Sequence, residues 1–288
     1  MRSSGTQPIR DRAVVLKRLK QLQPFPPVVA QLMRQVTAED IRFKEIAELI
    51  QSDAAVAAEV LRVANSPLLD HWGEIDSVLH AVVMLGLERL RGLVVTLSLR
   101  NFLAPALQAP ALLRCWRHNL ACAFLCEQLA SVGYLSKDSS YTAGLLHDIG
   151  RLALLATYPA EYVRVLALMN QYGLDSLECE RGMFAIDHCE VGSWLVEQWG
   201  FPVEFREITG RHHVEPSGER FDKMAVVHLG CRLADALGFQ VAGWPANTSF
   251  GEIKARLPAG LGDRLRPEEE LSFAIAGKIN ALECSLLC

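Results

Sequence analysis

The chain has 288 residues, 50% of them apolar, and 29 Lys and Arg against 33 Asp and Glu give a net charge of −4. A chain of this length and apolar content buries a large core as one big domain or two modest ones, and its acidic balance excludes a general nucleic-acid backbone binder. Its longest apolar stretches, such as 81–87 and 152–156, fall far short of the roughly 20 residues a bilayer span needs, and MRSSGTQPIRDR lacks the apolar core of a secretory signal, so a cytoplasmic protein without a membrane partner is expected.

Periodicity is helical almost throughout, and alternating β-branched runs are scarce, so the chain is expected to be all-α. The first 20 residues set Arg2, Arg10, Arg12, Lys17, Arg18 and Lys20 against Asp11 alone. That run reads as a solvated helix face, with a functional contact as the alternative. Pro26 and Pro27 precede VVAQLMRQV, a placement the first turn of a helix accepts because its N–H groups have no intrahelical partner. Ser52 and Asp53 open an alanine-rich helix, AAVAAEVLRVAN, which ends at Asn65-Ser66-Pro67. Apolar helices follow at 75–85 and 87–103, punctuated by Gly86. The second carries Arg89, Arg91 and Arg100 around an apolar face and reads as an amphipathic core helix, with a docking surface as the alternative.

Pro105 and Pro110 mark a boundary. Beyond it, helices are expected at 112–132, at 139–157 after an Asp138 cap, at 160–172 and at 175–182. Asp187 heads the next, with Glu190 as its capping-box partner. Helices at 202–209, 221–237 and, after a Gly/Pro-rich loop, 267–286 complete the chain. This divides it into an N-terminal helical subdomain at 1–105, a second helical subdomain at 106–240, and a C-terminal loop and helix at 241–288. Cys115, Cys122 and Cys126 share one helix face and read as reduced buried thiols. No CxxC pair points to a cysteine zinc site.

Six of the eight histidines follow the boundary: His118, His147, His188, His212, His213 and His228. His118 lies inside the apolar run RCWRHNLACAFL, and His147-Asp148 close the apolar part of TAGLLHDIGR. An unpaired buried polar group costs on the order of 1–3 kcal/mol, which one shared metal ion offsets for several of them. Asp235, in CRLADAL, is an equally costly place for a carboxylate without a cation. Imidazole and carboxylate donors from several rigid elements are what a hydrolytic divalent metal takes. His118, His147, Asp148 and Asp235 make one candidate set; His188, His212 and His213, with Asp148 as a bridge, make a second. His188, in the first turn of a helix, is expected to stay neutral, the form that binds metal. Each histidine taken singly also fits a satisfied core role, and His228 reads as a supporting or ordinary core residue. Such donors accept iron, manganese, zinc and nickel alike, so one or two divalent ions are expected without distinction among them.

The order His118, His147-Asp148 within LLHDIG, His188, His212-His213, Asp235 resembles the HD superfamily of metal-dependent phosphohydrolases, and HDIG paired with HH resembles its HD-GYP branch of cyclic-dinucleotide phosphodiesterases. The stretches LQPFPPVVAQLM, ELIQSDAAVAAEVLRVANSPLL and SVLHAVVMLGLERLRGLVVTLSLRNF resemble the HDOD domain, the HD-related output domain of bacterial signalling proteins, over about residues 19–238. The resemblance implies an HD-superfamily-like multi-helix bundle with an additional N-terminal helical subdomain. It also implies a response-regulator output role beside a signalling partner such as a receiver or sensor domain. HDOD domains commonly lack the HD ligands, and this chain keeps them. It departs from HD-GYP as well: HHVEPSGERFD contains no Gly-Tyr-Pro, Arg151 replaces the lysine after HDIG, and Arg114 stands where a three-metal site has a glutamate. Neither a third ion nor recognition of a cyclic dinucleotide is therefore implied.

Two readings stay open. In the favoured one the chain is a regulatory module whose cluster holds metal as a structural or ligand-sensing element. In the other it is a phosphohydrolase acting on a phosphate-containing small ligand. There a metal-bound water attacks the ester, Asp148 anchors the metal and Arg151, one turn after His147, steadies the phosphate. A salt bridge from Arg151 to Asp187 or Glu190 is the structural alternative for that side chain.

Overall fold

The computed structural model describes residues 8–9, 11–22, 25–34, 43–65, 74–216, 220–241 and 248–287. Its regular elements are all helical, with no strand among the described residues, as the periodicity predicts. Five short helices, α1 (Arg12–Leu19), α2 (Pro27–Arg34), α3 (Phe43–Gln51), α4 (Ala54–Ala64) and α5 (Val78–Leu85), lead into the longer α6 (Leu87–Leu103). After them come α7 (Pro110–Val132), α8 (Lys137–Leu146), α9 (Ile149–Thr157), α10 (Pro159–Tyr172) and α11 (Ser176–Phe184). The chain continues through α12 (His188–Gln198), α13 (Val203–Arg211), α14 (Lys223–Ala234), α15 (Phe250–Ala255) and α16 (Glu268–Leu287). The predicted stop at Ser66-Pro67, His71, and Arg2 and Arg10 of the basic run lie outside the described residues.

The centre of the molecule is α7, which packs against α8, α9, α14 and α16. A helix gripped on so many sides needs small residues at its crossings, and Ala121, Cys122, Ala123 and Cys126 supply them in one buried run. Gly144 of α8 lies so close that an added Cβ would come within 2.9 Å of the Ala123 backbone. Cys115, Cys122 and Cys126 are free and buried, which fits their reading as small apolar side chains, and burial pushes the Cys115 thiol up to about 12.

Local signals behave as expected at some termini and not at others. Asp53 accepts from Ala55 N–H at 3.0 Å to cap α4, and Asp187 accepts from Glu190 N–H at 2.9 Å to cap α12. Glu190 does not complete the predicted box, because its carboxylate turns to Arg12 at 3.0 Å. The reciprocal box is formed instead by Ser249 and Glu252, at the head of a helix inside the stretch read as loop. The basic N-terminal run is more than a solvated face: besides the Arg12 pair, the Arg18 guanidinium lies 4.8 Å over the Tyr158 ring.

The helix expected at 139–157 is broken in two, capped by Ser136 rather than Asp138, and interrupted at His147-Asp148. Just past the break, α9 meets α12 closely. A Cβ on Gly150 would meet the His188 carbonyl oxygen at 1.9 Å and Gly192 N at 2.5 Å, so α9 and α12 touch backbone to backbone at that point.

Candidate metal centre

His147 and His212 are positioned by the same local device. Each is the residue that closes a helix, α8 and α13 respectively, where the last carbonyls lack intrahelical partners. His147 Nδ1–H donates to Gly144 O at 2.6 Å and His212 Nδ1–H donates to Thr209 O at 3.0 Å. The hydrogen bond fixes the ring's orientation, so each presents Nε2 away from its own helix, as a lone pair when the ring is neutral. His188 is held differently. The buried carboxylate of Glu180, on α11, accepts from His188 N–H at 2.7 Å and from His188 Nδ1–H at 2.6 Å, and its other oxygen accepts from the Tyr162 hydroxyl. His188 Nε2 faces Asp148, His213 Nε2 at 3.0 Å and Arg151 Nη2 at 3.4 Å.

These Nε2 atoms converge on Asp148. Asp148 Oδ1 lies 3.1 Å from His188 Nε2 and 3.3 Å from His212 Nε2, within ion-pair distance. Neither approach has the angles of a hydrogen bond, and His147 Nε2, Asp148 Oδ1 and His212 Nε2 are all buried without a hydrogen-bond partner. Two ligands bound at about 2.1 Å to one ion sit roughly 3.0 Å apart in an octahedral arrangement and roughly 3.4 Å apart in a tetrahedral one. The spacing around Asp148 suits donors sharing a cation and equally suits ion pairs with protonated rings. Ligand atoms of His147, Asp148 and His212 lie within 4.8 Å of one another, as do those of His118, His147 and Cys231, and those of His188, Cys189, His212 and His213. The residues thus fit a divalent ion with nitrogen and oxygen donors.

Each predicted site residue can be placed. His118, His147, Asp148, His188, His212 and His213 form one continuous cluster, with neighbouring rings from His118 to His213 between 4.4 and 5.4 Å apart. Asp235 stands at its edge, 3.4 Å from His118 Nδ1 and in none of the three ligand groups, at the point where α14 gives way to a π-helical turn from Asp235 to Phe239. His118 Nδ1 also faces Phe239 O at 3.1 Å. Arg151 is buried, with Nε 3.1 Å from Asp148 Oδ2. Asp187 and Glu190 are taken by Arg181 and Arg12. His228 Nδ1–H donates to His212 O at 3.0 Å, a supporting role.

Charge at the cluster differs from expectation in one respect. Burial pushes the His188 imidazole down, but the Glu180 carboxylate against it raises it well above its ordinary value, so the ring is not kept neutral as expected from its place in the first turn of a helix. His212 is likewise pushed down by burial and raised overall to about 9 by Cys189 and Asp148. His147 stays well below its ordinary value through burial. Asp148, despite burial, is held well below the usual carboxylate range by Arg151 and His188. Sequence reading missed Glu180, Cys189 and Cys231. Cys189 follows His188 directly and Cys231 lies one turn before Asp235, but nothing along the chain marks Glu180 as the partner of His188.

A profile of the HDOD domain matches residues 22–215. Among solved structures, the chain is similar to an HDOD domain protein of unknown function from Geobacter sulfurreducens, with 22% identity, 96% of this chain and 98% of that one covered, and a TM-score of 0.73. It is also similar to a candidate phosphohydrolase from Shewanella amazonensis SB2B, with 22% identity, 95% and 97% covered, and a TM-score of 0.68. A candidate signal transduction protein from Marinobacter aquaeolei VT8 shares 20% identity, with 96% and 64% covered and a TM-score of 0.67. An uncharacterised protein of Treponema pallidum (strain Nichols) is 22% identical over 214 residues; the match takes in 73% of this chain and spans 41% of the length of that curated relative. At these identities the likenesses establish the fold and not the chemistry. No helix among the described residues is long and apolar enough to cross a membrane. With the profile running over well more than half its length, the chain belongs to the HDOD domain family.

Proposed function

We propose that this chain is a cytoplasmic signal-transduction output module whose His/Asp cluster binds a divalent metal as a structural or ligand-sensing element, with a receiver, a sensor domain or another signalling protein as its partner. Three buried atoms support the metal: His147 Nε2, Asp148 Oδ1 and His212 Nε2 lack hydrogen-bond partners and lie within 4.8 Å of one another. A cation supplies what all three lack at once. The family match supports the module, and the engagement of Arg151 by Asp148 supports it further, since that arginine is already paired rather than free for a phosphate.

The second reading, a metal-dependent phosphohydrolase, draws on the rim of the cluster, where His213 and Asp235 are partly exposed. An ion bound there would supply Lewis-acid chemistry toward a phosphate oxygen. Elemental analysis of the purified chain beside a His147→Ala, Asp148→Ala double variant tests the metal. Bound iron, manganese, zinc or nickel in the wild type and its loss in the variant is the expected result; equal, near-zero content in both ends the metal reading. Turnover of phosphomonoesters, nucleotides or cyclic dinucleotides that vanishes in the double variant would replace the module by the enzyme, and bound metal without turnover would support the module.

A further inference from the structure

A cavity of about 440 Å³ lies where α2 and α6 meet the starts of α8, α13 and α14, and none of the cluster residues lines it. One wall is apolar, made by Met33, Pro202 and Phe205. Arg91 also lines it, and this arginine is unusual. It is buried, its Nε and Nη2 have no hydrogen-bond partner, and no ion pair to it occurs among the described residues. Glu88, a turn earlier on α6, only partly offsets the burial that pushes the guanidinium below its ordinary value. A buried charge left unpaired is costly, and a fold retains one where something else completes it.

The other charged groups around the cavity are engaged or opposed. Lys223 Nζ donates to Glu204 at 2.7 Å, Arg34 Nη1 donates to Gly200 O at 2.8 Å, and Glu88 accepts from the Ser136 hydroxyl at 3.0 Å. Burial, together with Glu88 and Glu127, pushes the Asp138 carboxyl up. Residues from the first turns of α6, α8, α13 and α14 line the space, so four helix N-termini, the ends that favour negative charge, border it. A guanidinium carries its N–H groups in pairs spaced to give parallel hydrogen bonds to one carboxylate, which an ammonium lacks. The volume falls in the range of small-molecule sites, roughly 300–1,000 Å³.

We propose that this cavity binds a small organic carboxylate, which pairs with the Arg91 guanidinium while its apolar body lies against Met33, Pro202 and Phe205. A single unpaired guanidinium matches a monoanion. A dianion such as phosphate meets Glu88 and Asp138 and is disfavoured. The site is separate from the histidine cluster and does not depend on the metal reading.

The test uses the full chain, dialysed, with sodium benzoate and sodium hexanoate as probes and sodium phosphate and sodium chloride as controls at matched ionic strength. Benzoate or hexanoate is expected to raise the thermal midpoint saturably, with one site per chain by calorimetry, and phosphate is not. Arg91→Met is expected to lose the response and, without probe, to unfold no lower than wild type, because it removes an unpaired buried charge. Arg91→Lys, which keeps the charge but not the fork, is expected to bind the probe at least about tenfold more weakly. The His147→Ala, Asp148→Ala double variant is expected to keep the full response, which separates this site from the metal cluster. The proposal is overturned if neither carboxylate gives a saturable rise, if phosphate acts equally, if the rise survives in Arg91→Met or is lost in the double variant, or if Arg91→Met lowers the probe-free midpoint.

Discussion

At the residue scale, the cluster is built from imidazoles whose Nδ1 is occupied so that Nε2 is left to point inward. For His147 and His212 the occupant is a carbonyl one turn back on the same helix; for His188 it is the Glu180 carboxylate. A carboxylate behind a ligating histidine fixes the ring and raises its basicity, and its loss typically costs about 10–100-fold in metal affinity. Glu180→Gln is therefore expected to weaken metal binding by that factor in a competition titration with a chelator while the helical circular dichroism stays unchanged; undiminished affinity would remove Glu180 from the site. Protonation provides a second check. In the metal-free protein His188 and His212 hold protons above the ordinary imidazole value, His212 to about 9. Because these folded-state values exceed the unfolded one near 6.5, the stabilisation they give is complete below about 6.5 and is lost as pH rises, for His212 through about 9. His147 and His213, held below the ordinary value, act in the opposite sense. A metal must displace the protons on His188 and His212, so loading at neutral pH is expected to release protons and affinity to climb toward pH about 9. An indicator-dye titration with no proton release would contradict this.

At the element scale, the glycine of the HDIG stretch brings α9 and α12 into backbone contact and so sets Asp148 beside His188. Gly150→Ala would force a Cβ to within 1.9 Å of the His188 carbonyl oxygen, and backbone atoms cannot swing aside as a flexible side chain can. The cost is expected at or above the top of the ~1–3 kcal/mol overpacking range, read as a fall in the urea midpoint, together with loss of bound metal. Gly182→Ala on α11 is the contrasting case. Nothing lies within 4 Å of the added methyl, so the change is expected to be neutral or stabilising by up to ~1 kcal/mol. Similar losses in both variants would refute the close contact. The motif showed in the sequence as a motif, but its glycine gave no sign of which partner helix it would meet.

For the molecule as a whole, the N-terminal helices share the core of the rest. Phe25 stacks on Trp199 with ring centroids 4.5 Å apart, and Trp199 meets Phe102 edge-on at 5.5 Å. Ile9 N–H donates to Met183 O at 2.7 Å, Arg34 reaches Gly200 O at 2.8 Å, and one buried apolar cluster runs from Val15 to Leu282. Phe25→Ala is expected to cost about 3–5 kcal/mol. Because the core is continuous, unfolding in urea should remain a single transition, coincident by tryptophan fluorescence and far-UV circular dichroism. Two separated transitions would show that the N-terminal helices stand alone.

The sequence by itself determined the all-helical class, the family resemblance and the five histidines and Asp148 that gather in the cluster, because helical periodicity and donor chemistry are written into neighbouring residues. Tertiary structure alone decided the break at His147-Asp148, the seat of Glu180 under His188, the displacement of Asp235 to the edge and the burial of Arg91 on a helix that reads as simply amphipathic. Which carboxylate comes to rest beside which imidazole depends on how helices far apart in the chain pack. A pattern read along one helix records only which face it buries, and not what that face will touch.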